Sequence, residues 1–377
     1  MSAREMRPGL YIHIPFCLTK CSYCDFYSVT QTAEIPSFMT ALLGEMALYR
    51  GLFSPFDTIY LGGGTPSLLS IDQIEAILGA IDNIFTIADD TEITIEANPG
   101  DLTPEVTRAL HSTGINRITI GVQSFDNGVL AFLGRRHDTA GATAAIENAR
   151  KAGFENIGLD LIYGIPGQGL DEWRETLMKA LSFAPEHLSC YQLTLEPSTP
   201  LGERYRSGAI TLPDDNLLYT LFMKTSRALE EEGYIHYEVS NFARGSERMS
   251  RHNAKYWDHT PYLGLGPAAH SFSGPRRWWN HRSLNRYIGE IHAGSPPIGG
   301  SELLSREQLR LEALYLGLRT HEGIDCEAFS QRYGCDLIAE MGKLFRHMEQ
   351  EGLLIISGNH IRPTRAGLAV SDSLSIQ

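Results

Sequence analysis

No apolar run in the sequence approaches the length of about 20 residues needed to cross a bilayer. The first ten residues carry Arg4, Glu5 and Arg7 and lack the apolar stretch of a secretory signal. A cytoplasmic protein with no integral membrane segment is the expectation. Basic residues are also in deficit, with 32 Lys and Arg against 45 Asp and Glu, a formal net charge of -13. So acidic a chain repels a phosphate backbone, and nucleic acid is not an expected partner. Cysteine is scarce and unevenly spread. Cys17, Cys21 and Cys24 crowd together, while Cys190, Cys326 and Cys335 lie far off. A disulfide framework would distribute its cysteines, so the crowded three read as a metal site and the distant three as packing thiols.

What is present is an alternation. β-rich segments at 10–15, 58–61, 92–96, 117–122, 158–163 and 188–195 are separated by stretches of helical period at 38–49, 71–85, 104–111, 140–151 and 171–181. A further helix is expected at 214–232 and a strand at 234–242. Ser70 with Asp72, and Thr103 with Pro104, are helix-start signals. Repeated strand–helix units predict an α/β fold with a parallel sheet and right-handed crossovers. Six units fall short of a closed eight-stranded barrel. The expected architecture is a partial, open-sided (β/α)6 barrel over residues 1–242, with functional groups at the C-terminal strand ends. Residues 243–301, rich in Gly, Pro, His and aromatics, read as a loop-rich connecting segment. Residues 302–377 predict helices near 305–318, 325–332 and 336–351, strands at 353–356 and 360–362, and a short helix from Thr364. That pattern is a mostly helical, winged-helix-like domain, which on so acidic a chain suits a lid or docking piece better than a DNA reader.

Cys17-Leu18-Thr19-Lys20-Cys21-Ser22-Tyr23-Cys24 follows the first strand. Thiolates are the usual ligands of iron–sulfur clusters, and three ligands for four irons leave one iron open to chemistry. A zinc site would need a fourth ligand at zinc-finger spacing, which the neighbourhood lacks. Gly62-Gly63-Gly64-Thr65-Pro66 closes the second strand, where glycines permit close backbone approach to a ligand. Glu96, Gln123 and Asp160 recur on successive strands, and Arg135 follows the fourth.

The CX3CX2C loop, with Tyr23 before its third cysteine, resembles that of the radical S-adenosylmethionine (SAM) superfamily. The resemblance implies a [4Fe-4S] cluster on Cys17, Cys21 and Cys24, with SAM on the free iron. Tyr11-Ile12-His13-Ile14-Pro15-Phe16-Cys17, Gly121-Val122-Gln123-Ser124-Phe125, Leu133-Gly134-Arg135-Arg136-His137 and Asp160-Leu161-Ile162-Tyr163-Gly164-Ile165-Pro166 are similar to the coproporphyrinogen III dehydrogenase-like branch. By that resemblance Tyr11, Tyr23, Gly63, Gly64, Thr65, Glu96, Gln123, Arg135 and Asp160 would line the SAM site. Two departures separate the chain from the dehydrogenases themselves: Phe26 stands where they carry another cysteine, and only ten residues precede Tyr11. His252-Asn253-Ala254-Lys255-Tyr256-Trp257 resembles instead the HNxxYW signature of that branch's heme chaperones. The resemblance implies a heme at His252, Asn253, Tyr256 and Trp257. His270 and His281 lie near enough in sequence to compete as ligands, and Arg276 and Arg277 are the local basic residues expected to meet its propionates. Trp278 and Trp279 would stack on a ligand or close the barrel. The expected function is heme binding and transfer to an acceptor protein, with enzyme activity left open. The alternatives are a radical SAM oxidoreductase decarboxylating coproporphyrinogen III, and a radical SAM enzyme of another substrate.

Overall fold

The structure, a computed structural model, describes residues 6–371. The outer ends of the expected ranges 1–242 and 302–377 lie outside the described residues. Six parallel strands form the centre in sequential order: β1 (Gly9–Ile14), β2 (Phe56–Gly63), β3 (Ile87–Ala97), β4 (Arg117–Gln123), β5 (Ile157–Tyr163) and β6 (His187–Gln192). The crossovers carry α1 (Ile35–Leu48), α2 (Ile71–Ile84), α3 (Pro104–Ser112), α4 (Asn127–Leu133), α5 (Thr139–Lys151) and α6 (Leu170–Leu181). The expected helix starts are built as read. Ser70 caps α2 reciprocally with Gln73, and Thr103 caps α3 with Pro104 in its first turn.

The strands show why this sheet curls around a polar interior. On β1, Leu10, Ile12 and Ile14 are buried in the core beneath the helices, while Gly9, Tyr11 and His13 take the other face. The same alternation puts Ile59 and Leu61 of β2, Ile118, Ile120 and Val122 of β4, and Ile157, Leu159 and Leu161 of β5 in that core. Each such side chain contributes roughly 1.5–3 kcal/mol by burial. The inward positions are Thr58, Tyr60, Glu92, Thr94, Glu96, Arg117, Thr119, Asp160, His187, Ser189 and Tyr191. This barrel is a lumen lined with polar groups rather than a packed aliphatic core.

Beyond β6 come α7 (Pro200–Arg206), α8 (Asp215–Glu231) and a short hairpin, β7 (Ile235–Glu238) and β8 (Asn241–Ala243), which replaces the single strand expected at 234–242. The segment 243–301 corrects its reading as a loop-rich connector. It carries α9 (Arg251–Trp257) and four strands: β9 (Tyr262–Leu265), β10 (His270–Ser273), β11 (Arg276–Asn280) and β12 (Ile298–Leu303). β9 pairs parallel with β1, so these strands extend the barrel sheet to twelve. Their shortness hides any period from the sequence. Residues from 304 onward form a second unit around its own core of Leu318, Phe329, Leu337, Phe345, Leu354 and Ile361, where Cys326 and Cys335 also pack. Its β-hairpin, Leu354–Ser357 and His360–Pro363, is joined by the short strand Ile324–Asp325.

Candidate functional site

The cysteine loop leaves β1 at the C-terminal mouth of the barrel. Its base is closed by Cys17 N–H donating to Val29 O at 2.9 Å and Val29 N–H donating to Pro15 O at 2.7 Å. Ser22 pins its middle: its hydroxyl donates to Leu133 O at the end of α4 (3.1 Å), and its carbonyl accepts from Leu201 N–H (2.9 Å). The three thiols are half-buried and free. Burial pushes the Cys24 thiol up. Two donors reach the sulfurs: Thr65 Oγ1 to Cys17 Sγ and Arg135 Nη1 to Cys21 Sγ, each at 3.4 Å. Three soft thiols with a hydroxyl and a guanidinium aimed at sulfur form a donor set that fits an anionic iron–sulfur cluster. Among the described residues, no three His, Cys, Asp or Glu side chains converge as the ligands of a single ion would.

Around the loop the structure gathers most of the residues expected to line a SAM pocket. Gly63 has φ +110°, and a Cβ there would stand 2.6 Å from the His13 ring; a Cβ on Gly64 would stand 2.7 Å from Phe16 O. Both positions require glycine. Glu96 accepts from the Tyr60 hydroxyl at 2.8 Å and from Gly63 N–H at 3.1 Å, and burial pushes its carboxyl up to about 7. Asp160 is pushed up to about 6, again by burial. Arg135 also donates to Gly121 O at 2.8 Å, and Tyr23 lies against it, its hydroxyl pushed up by burial. Gln123 is buried with φ +66°, a strained backbone of the kind that concentrates at binding sites. Tyr11 stands deeper. Its hydroxyl meets His13 Nδ1 at 3.1 Å, and its ring centre lies 6.0 Å from Tyr60 and 6.2 Å from His252.

The HNxxYW helix, α9, closes the opposite end of the barrel. Ser250 caps it, and the Glu92 carboxylate accepts the N–H groups of both Arg251 and His252. Arg251 and Lys255 both pair with Asp57, at 3.0 and 2.6 Å, and Lys255 also donates to Arg7 O. His252 is 1 % exposed. Its Nδ1 pairs with Thr58 Oγ1 and its Nε2 with the Tyr256 hydroxyl, each at 2.9 Å, while its ring stacks on Tyr60 at 5.1 Å. Burial pushes the imidazole down to about 3, so it is neutral. Tyr256 packs edge-on against Tyr262, and Asn253 and Trp257 are half-buried. In this structure both ring nitrogens of His252, the residue expected to face a heme, are hydrogen-bonded within the barrel floor. Arg277 is likewise engaged, with Glu302 and Glu312, and Arg276 lies over the Trp278 ring. Trp278 is buried in the core, whereas His270 is exposed and stacks on Trp279 at 5.7 Å. Lys255, Thr58, Tyr60 and Arg117 were not singled out from sequence, although the inward alternation of β2 and β4 places the last three in the lumen.

Comparison with known proteins then decides the family. A Lactococcus lactis protein named "Heme chaperone HemW" is 35% identical over 366 residues, covering 97% of this chain and 95% of that protein. The chain belongs to the HemW family. A Mycobacterium tuberculosis protein of the same name is 35% identical over 377 residues, covering 97% of this chain and 93% of its own. The zebrafish (Danio rerio) "Radical S-adenosyl methionine domain-containing protein 1, mitochondrial" is 33% identical over 388 residues, covering 99% of this chain and 87% of that one. Residues 11–180 match the radical SAM superfamily and residues 304–370 the HemN C-terminal domain. The solved structure of Escherichia coli coproporphyrinogen III oxidase (HemN), a radical SAM enzyme, superposes with a TM-score of 0.85 at 25% identity, covering 99% of this chain and 91% of that one. The family brings a [4Fe-4S] cluster and SAM. Among the described residues, no helix is long and apolar enough to cross a membrane.

Proposed function

We propose that this chain is a heme chaperone, which binds heme and passes it to an acceptor protein in the reducing compartment of the cytoplasm. The observation that carries this reading is end-to-end relatedness, at about 35% identity, to proteins named for that role. Cys17, Cys21 and Cys24 would hold the cluster, with Thr65 and Arg135 donating to its sulfurs. Tyr23, Gly63, Gly64, Glu96, Gln123 and Asp160 would line the SAM pocket, and Tyr11 would back it from below. Phe26 supports the chaperone over the dehydrogenase alternative: it is 71% exposed on the cysteine loop, so no thiol occupies the position where the dehydrogenases carry one.

For heme, the geometry favours His270 over His252. His270 presents an exposed imidazole stacked on Trp279; partial burial pushes it down, and the charges of Arg277, Glu302 and Arg282 all reach it. Arg282 in turn donates to Asp25 O at 2.6 Å, which sets this face beside the cysteine loop. A neutral imidazole over an aromatic floor suits axial binding of a flat iron macrocycle. His252, Asn253, Tyr256 and Trp257 would then serve heme binding by holding the barrel floor. The test is a heme titration of anaerobically reconstituted protein, followed at the Soret band, for wild type, His270→Ala and His252→Ala. A saturable one-heme complex lost in His270→Ala supports the reading. Wild-type protein that binds no heme but turns over coproporphyrinogen with SAM would favour the oxidoreductase.

A further inference from the structure

The two adjacent tryptophans divide between the faces of β11. Trp278 turns into the core, where its Nε1 donates to the Tyr49 hydroxyl at 3.3 Å. Trp279, one residue on, takes the opposite face. Register carries that face back to the barrel lumen. Trp279 lies opposite His270 on β10, Arg277 opposite Phe272, Phe272 opposite Tyr262 on β9, and Tyr262 opposite Gly9 on β1. Gly264, two residues past Tyr262, pairs with Tyr11 and lies against the His270 carbonyl, so His270 stands level with Tyr11. His270 and Trp279 are therefore a continuation of the lumen wall rather than a separate surface.

On the far side of Trp279 lies β12, the edge strand of the sheet among the described residues, and the residue opposite Trp279 there is Gly300. A Cβ built on Gly300 would stand 2.5 Å from Trp279 Cζ2, 2.7 Å from Cε2 and 2.9 Å from Nε1. Those are overlaps rather than contacts, since non-bonded carbons pack at about 3.5–4.0 Å. The indole thus leans across the edge strand into the space a side chain at 300 would fill. The backbone does not ask for glycine here, because Gly300 is not among the residues with positive φ. Glycine also weakens a strand interior. A methyl at 300 would meet only the far end of the Trp279 side chain, so the indole rather than the sheet would give way. It would move toward His270, whose ring centre lies 5.7 Å away on the other flank, or off the sheet.

We propose that Gly300 is a positioning residue for heme, acting through Trp279. With no side chain of its own, it seats the indole over the edge strand. The seated indole braces one face of the His270 imidazole, with 25° between the ring planes, and so fixes the direction in which the ring nitrogens point. The inference rests on the reading of His270 as the heme-facing imidazole, and its test separates the two.

Heme titration of the reconstituted protein, followed at the Soret band, compares wild type, Gly300→Ala, Trp279→Leu, His270→Ala and the double variant Gly300→Ala/Trp279→Leu. Gly300→Ala should bind heme roughly tenfold more weakly, the worth of one aromatic pair. Its Tm should stay within about 2 °C of wild type, because only an exposed side chain moves. Near-UV circular dichroism of the heme-free protein should change in Gly300→Ala and stay the same when the substitution is added to Trp279→Leu. In that background the substitution should also leave heme affinity unchanged, since the group it acts through is gone. Wild-type affinity in Gly300→Ala, with His270→Ala losing heme, overturns the positioning role alone: the glycine then only seats a structural indole. A loss in Gly300→Ala that persists in the Trp279→Leu background overturns it too, because the effect would not run through the indole. Wild-type affinity in His270→Ala removes the reading of His270, and the inference falls with it.

Discussion

Replacing His252 with alanine separates a floor strut from a heme ligand. In the structure the imidazole satisfies Thr58 and Tyr256 and supports the Tyr60 ring. Its loss strands two buried hydroxyls, each costing about 1–3 kcal/mol, and leaves a cavity beneath Tyr60. A total of roughly 3–5 kcal/mol follows. At about 2 °C per kcal/mol for a chain of this size, Tm should fall by roughly 6–10 °C. Differential scanning calorimetry of reconstituted protein reads the fall, and a Soret titration at a temperature well below both transitions reads heme binding. The floor role predicts a large loss of Tm with the one-heme stoichiometry retained. His270→Ala should do the reverse, because an exposed surface residue changes stability by only about 0.5 kcal/mol. An unchanged Tm in His252→Ala, together with loss of the Soret complex, would refute the reasoning and return the imidazole to the role of ligand.

Tyr60→Phe removes the hydroxyl that favours the Glu96 carboxylate, so the carboxyl should rise further above about 7. SAM affinity by equilibrium dialysis should then fall about tenfold at pH 7 and recover above pH 8, where Glu96 ionises regardless; a pH-independent loss would count against the link. Arg135→Met removes a cation that donates to Cys21 Sγ, and EPR-monitored titration of the cluster should show a lower reduction potential, since the reduced, more anionic cluster loses its partner. Glu45→Ala strands three buried donors, Tyr287 Oη, Asn280 Nδ2 and Gly266 N–H, and should cost about 3–6 kcal/mol in urea unfolding, loosening α1 from the β9–β11 region. Glu45, Glu96 and Glu238 are each pushed from 4.5 up to about 7, chiefly by burial. Their contribution to stability is therefore complete below pH 4.5 and lost as pH rises through 7, so the urea midpoint of Glu45→Gln, which cannot ionise, should rise relative to wild type between pH 5.5 and pH 8.

The barrel was legible in the sequence because its signals are local. Alternating Leu, Ile and Val in short runs mark β1, β2, β4 and β5, and Ser70 and Thr103 mark helix starts within the residues that form them. The cysteine loop was legible for the same reason, since one turn of chain carries all three thiols. The extension strands were not. β9 has four residues, and its place is fixed by pairing with β1, more than 250 positions earlier. Glu45 reads as a solvated helix residue until the chain brings Asn280 and Tyr287 against it. The lumen is an intermediate case: alternation puts Thr119, Gly158 and His187 inward, but only the register across β4, β5 and β6 sets them side by side.

The histidines show where local signals stop. His252 sits in a six-residue signature that marks the position as significant, yet that signature is equally compatible with a ligand and a strut. What divides them is long-range. Glu92 and Asp57 on neighbouring strands hold α9 by its first turn and its two cations, which turns His252 and Tyr256, four residues apart, into the barrel. His270, with no such anchors and Trp279 across the strand pair, stays at the surface. One imidazole is thus buried and hydrogen-bonded inside the barrel and the other exposed, and the difference lies in which strands the chain has brought alongside.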